Sequence, residues 1–158
     1  RKEEELARRV AEAAQATAQA EELRQKQAEK LEEIGRLYDV SPCDNTDDFW
    51  RAQLVSLEYL TEAHKELFAC YQNHTDPPAD CAKPLERALA YFIFRHCTPA
   101  KSYEEFRAAL GFCLLCERLL ASMAAEHPAL PIADLARILS EEIEYSTENT
   151  DTIKSVFY

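Results

Sequence analysis

Glycine occurs at only two positions, Gly35 and Gly111. Tight β-turns depend on residues that tolerate positive φ, so a turn-rich sandwich or barrel is excluded for this chain. P-loop and dinucleotide-binding cradles need several glycines at fixed spacing and are excluded with it. No segment alternates apolar and polar residues with period two, whereas the long segments repeat at helical spacing. The expected fold is all-α: an antiparallel bundle of about four or five helices behind a long amino-terminal helix.

The 158 residues suit one domain, or one domain plus an arm, and their composition marks a division near Tyr38. Residues 1–40 hold eight alanines, ten acidic and eight basic residues, and no aromatic before Tyr38. Their net charge of −2 leaves −9 of the total −11 on residues 41–158. Leu6, Val10, Ala13, Thr17, Ala20, Arg24, Gln27, Leu31, Ile34 and Tyr38 alternate spacings of four and three, a heptad seam that weakens at Arg24 and Gln27. Two readings stay open. The helix packs only its carboxy end on the domain, or it is a coiled-coil arm for a partner or a second copy. The chain opens on Arg1, so a longer parent sequence is expected, and no apolar signal peptide is visible.

Ser41-Pro42-Cys43-Asp44-Asn45-Thr46-Asp47-Asp48 breaks the first helix and supplies caps for the next. A second helix is predicted over 47–72, with Trp50, Leu54, Leu57, Leu60, Leu67 and Tyr71 buried. Pro77-Pro78 lies in a loop, and Asp80 caps a third helix ending near Cys97. The run Tyr91-Phe92-Ile93-Phe94 implies burial nearly all round, making that helix central. Ser102-Tyr103-Glu104-Glu105 is a capping box that opens a fourth helix to about Ala125. A fifth helix is predicted over 132–145 and a short last one from Asn149.

An acidic domain repels phosphate, so no nucleic-acid partner is expected. No apolar run reaches the roughly 18 residues of a membrane span. Six cysteines occur, at Cys43, Cys70, Cys81, Cys97, Cys113 and Cys116. Most sit in apolar helical runs, which favours reduced thiols. Cys113-Leu114-Leu115-Cys116 is the sole CxxC. Zinc would need two more ligands, with His96 and Cys97 nearest to hand. Mid-helix between leucines, core packing is the favoured role, and no metal site is expected. The histidines are scattered, and His64 reads as a satisfied, partly buried imidazole.

Arg95-His96 ends the most apolar helix, where the macrodipole favours cations. Glu141-Glu142-Ile143-Glu144-Tyr145-Ser146-Thr147-Glu148-Asn149 ends another, where the dipole opposes carboxylates. That acidic run calls for positive charge nearby: Arg95, Arg137, a lysine substrate or a partner. The expectation is that Glu142, Glu144 and Tyr145 face Arg95 and His96 across a cleft between the third and fifth helices.

Both runs resemble one family. Leu85-Glu86-Arg87-Ala88-Leu89-Ala90-Tyr91-Phe92-Ile93-Phe94-Arg95-His96 resembles the LENxLxYxxFRH run of the flagellin lysine-N-methylases, and residues 140–149 resemble their SREIEYSxEN run. Val55-Ser56-Leu57-Glu58-Tyr59-Leu60 echoes an earlier helix of the family, so the likeness spans about residues 47–155. It implies a bacterial, cytoplasmic protein that methylates flagellin lysines with S-adenosylmethionine. It implies His96, Glu142 and Tyr145 as catalytic residues, and Arg95, Glu144 and Asn149 as substrate-binding ones. The family's cysteine cluster, read as an iron–sulfur or metal site, has no counterpart before Cys43. The resemblance is therefore to the carboxy-terminal helical region of such an enzyme, and activity of this chain alone is not expected. The rival readings are a non-enzymatic helical adaptor for a basic partner and an acidic mimic of nucleic acid.

Overall fold

The computed structural model describes residues 1–40 and 45–158. Cys43 and the first half of the predicted break lie outside the described residues. Among the described residues seven α-helices follow one another: α1 Lys2–Leu37, α2 Asp47–Val55, α3 Glu62–Phe68, α4 Ala82–Cys97, α5 Tyr103–Glu126, α6 Ile132–Leu139 and α7 Thr147–Ser155. A 3-10 turn, Ala79–Cys81, leads into α4, and a π-helical turn, Ser140–Glu144, prolongs α6. The chain is 76% helical with no strand among the described residues, so the all-α expectation holds.

Short polar side chains set the helix starts. Thr46 accepts from the Phe49 amide, Thr61 from His64, Ser102 from Glu105 and Ser146 from Asn149. The Glu105 carboxylate reaches back to the Lys101 amide at 2.8 Å, closing a capping box at α5.

The single helix predicted over 47–72 is instead α2 and α3 with an irregular link between them. Helical periodicity persists across the link, but other elements take its backbone. Asn149 Oδ1 accepts from the Glu58 amide at 3.0 Å and its Nδ2 donates to the Glu58 carbonyl at 2.6 Å. The Leu60 amide donates to Glu142 at 2.9 Å, and Tyr59 Oη donates to the Leu54 carbonyl at 2.7 Å. These bonds replace those a continuous helix would make within itself.

The centre of the bundle is α5, not α4. All residues from Ala108 to Ala124 except Arg118 are buried in it. By length and composition α5 could cross a membrane, but 89% of its apolar window is buried inside the bundle. On α4, Leu85, Phe92 and Cys97 are buried whereas Tyr91 and Phe94 stand 46% and 76% exposed. A run of four residues turns through more than one helix face, so only part of it can meet α5. Gly111 gives α5 its closest approach: a Cβ there would lie 2.5 Å from the Phe157 ring. Phe157 in turn stacks on Trp50 at 5.6 Å.

The first half of α1 is solvent-exposed, with Leu6 and Val10 63% and 60% exposed. Its second half packs on the domain through the heptad seam, burying Leu31 and Gly35. The two weak seam positions carry polar contacts. Arg24 donates to buried Glu117 at 2.6 Å, and Gln27 donates to the Ala82 carbonyl at 3.0 Å.

Candidate functional site

The acidic run is organised by the π-helical turn. The Tyr145 amide donates to the Ser140 carbonyl at 3.0 Å, one residue further back than in an α-helix. The widened turn lets Glu142, Ile143 and Glu144, three consecutive residues, all be buried. Ile143 enters the core, and the two carboxylates leave toward different partners.

Glu144 goes to the end of α4. Its Oε2 lies 2.6 Å from His96 Nε2 and 3.4 Å from Arg95, and its Oε1 accepts from Ser140 Oγ at 2.7 Å. Burial opposes its ionisation, but hydrogen bonds from His96 and Ser140, with the nearby charges of His96 and Arg95, prevail. The carboxyl is held below its ordinary value. Around this contact His96 packs edge-on against Phe112 at 4.7 Å. Arg95 lies 5.0 Å over the Tyr145 ring and donates to Tyr91 Oη at 2.8 Å.

Glu142 goes the other way. Its Oε1 lies 2.7 Å from Nδ1 of His64, at the start of α3, and its Oε2 takes the Leu60 amide. The expectation that Glu142 shares a cleft with Arg95 and His96 is corrected: adjacent carboxylates on this turn diverge, so His64 becomes its partner. Half-buried Tyr59 stands close by, its hydroxyl pushed well up by burial and by the Glu142 charge. Asn149 also faces inward. It is 2% exposed, and beyond Glu58 it donates to the Glu142 carbonyl at 2.7 Å. It locks the turn to the α2–α3 link rather than pointing to solvent. Glu141 pairs with Arg137 at 3.1 Å on the exposed side.

Of the six residues implied by the resemblance, four meet: Arg95, His96, Glu144 and Tyr145. Glu142 and Asn149 form a second group with His64 and the 58–60 backbone. His64 is the satisfied, partly buried imidazole that the sequence suggested, but its partner was not foreseen. Its partner lies 78 residues away, and no local pattern joins them.

Three cysteines lie beside the first group: Cys97 follows His96, Cys113 bonds to Cys97, and Cys116 feels the Glu144 charge. Cys70, Cys81, Cys97, Cys113 and Cys116 are free thiols. A hydrogen bond between Cys97 and Cys113 lowers the former's pKa and raises the latter's, with burial adding to the rise at Cys113 and Cys116. Among the described residues no group of His, Cys, Asp and Glu is arranged to hold a metal ion. Two cavities, of about 750 and 150 Å³, lie between α1 and the domain, and neither is lined by His96, Glu142 or Glu144.

No protein-family model matches the chain, and no curated protein or solved structure is significantly similar to it.

Proposed function

We propose that this chain is the helical region of a bacterial, cytoplasmic lysine N-methyltransferase acting on flagellin, with S-adenosylmethionine bound by another part of the enzyme. One observation carries the reading. The two runs that resemble the lysine methylases meet, His96 and Glu144 touching at 2.6 Å although 48 residues apart. In this reading the region holds the substrate side chain. Glu144 has no exposed side-chain surface, so it positions His96 and Arg95 rather than meeting substrate. The accessible groups are Tyr145 and Tyr91, 68% and 46% exposed, with Arg95 between them. Aromatic faces hold alkylated ammonium groups by cation–π attraction, which suits a lysine before and after methylation. The ammonium must lose a proton before its nitrogen can attack a methyl group. The imidazole of this group is His96, held by Glu144 at 2.6 Å, and it is the side chain placed to assist that loss.

The test is mass spectrometry of flagellin from flagellated cells whose only copy of the protein carries Tyr145→Ala. Methyl-lysine should fall by about ten-fold or more with the melting temperature unchanged. Unchanged methylation in that variant, or in cells with no copy at all, overturns the reading. The exposed first half of α1 favours a second role, as an arm for a partner helix or a second copy.

A further inference from the structure

The junction of α1, α4 and α5 holds two buried acceptors that no protein donor reaches. Glu117, on α5, is 1% exposed. Its Oε1 accepts from Arg24 at 2.6 Å, while its Oε2 is buried with no hydrogen-bond partner. Gln27, on α1, donates through Nε2 to the Ala82 carbonyl at 3.0 Å and to Glu86 at 3.4 Å, and its Oε1 is likewise unpartnered. Both side chains line the 150 Å³ cavity, whose remaining wall is largely the alkyl surface of Leu31, Ile34, Leu85 and Leu89. Buried polar atoms are almost always hydrogen-bonded, so two orphaned acceptors against one cavity point to a donor supplied from outside.

Charge narrows the class of that donor. Glu117 and Arg24 also line the 750 Å³ cavity, so the two cavities meet at this pair. Their walls carry the carboxylates Glu21, Glu32, Asp76, Glu86 and Glu117 against the cations Arg24, Lys30 and Arg118. Arg118 is engaged by the Tyr71 hydroxyl and Arg24 by Glu117. Burial raises the Glu117 carboxyl above its ordinary value despite Arg24, as expected where a second positive charge would be welcome.

We propose that this junction binds a linear aliphatic diamine. One ammonium, in the smaller cavity, donates to Glu117 Oε2 and Gln27 Oε1, the methylenes pass Leu31, which lines both cavities, and the second ammonium reaches the acidic wall of the larger one. The site is separate from the His96–Glu144 contact and independent of the lysine methylase reading.

Isothermal titration of the full chain with cadaverine tests it, with the diol of equal chain length as the neutral control. Cadaverine should bind and the diol should not. Glu117→Gln should weaken binding by about ten-fold or more, equivalent to about 1.4 kcal/mol. Leu89→Trp, which fills the cavity from a half-buried position, should abolish it with the fold intact. Lys30→Met should leave binding in place, since the site does not depend on that flexible cation. Absence of cadaverine binding, equal binding of the diol, or full binding by Leu89→Trp would each overturn the proposal.

Discussion

Glu144 and His96 close the bundle: a carboxylate from the π-helical turn and an imidazole from the end of α4 meet at 2.6 Å with both side chains at most 9% exposed. Removing one partner of a buried pair leaves the other unsatisfied, a loss of about 3–5 kcal/mol. Glu144→Gln should therefore lower the free energy of unfolding by about 3 kcal/mol or more. Tyr145→Ala, on the exposed side, should change it by no more than about 0.5 kcal/mol. Denaturant titration of the two variants distinguishes them, and equal midpoints would remove the contact from the account of stability.

Two buried glutamates give the pH dependence opposite signs. The folded Glu144 carboxyl lies below its ordinary value, so its stabilisation is full above about pH 4.3 and is lost as pH falls through the folded value. The Glu117 carboxyl is raised. Its contribution is full below about pH 4.3 and is lost as pH rises through its folded value. Stability measured against pH should lose its acid-side fall in Glu144→Gln, and in Glu117→Gln should lose the decline above about pH 4.3. The reverse assignment would show that the two environments have been misread.

Gly111→Ala reverses the usual helix preference. Alanine favours a helix interior by up to about 1 kcal/mol over glycine, but here its Cβ would stand 2.5 Å from Phe157 Cδ1. The ring must move, and Trp50 stacked on it must follow. The expected loss is about 1–3 kcal/mol, partly recovered when Phe157→Leu is added. A stabilised Gly111→Ala protein in a thermal melt would contradict this.

The two halves of α1 should behave differently on truncation. Residues 1–17 are exposed, and their removal should leave the melting temperature unchanged. Removal through Arg36 takes away Arg24, Gln27 and buried Leu31. It should cost about 3 kcal/mol or more, since a buried leucine and a buried pair are both lost. Equal melting of the two truncated proteins would mean that α1 contributes nothing to the domain.

The legible parts of this fold were those whose cause is local. Two glycines, the 3.6-residue period and the caps at Thr46 and Ser102 announced an all-helical chain. The link between α2 and α3 was illegible because Asn149 and Glu142, distant in sequence, bind its backbone. The acidic run was recognisable as needing positive charge, and Glu144 found Arg95 and His96. The π-helical turn was not recognisable, so the opposite course of Glu142 toward His64 was missed. Arg24 and Gln27 looked like flaws in a seam because their partners, Glu117 and the Ala82 carbonyl, lie on other helices.

The central claim is that this region holds a flagellin lysine. Equilibrium binding of flagellin to the full chain, compared before and after acetylation of the flagellin lysines, tests it most directly. Acetylation removes the positive charge that the aromatic faces of Tyr145 and Tyr91 recognise. The account predicts saturable binding of unmodified flagellin, weakened by about ten-fold or more on acetylation. Equal affinity for both forms, or no binding of either, would contradict it.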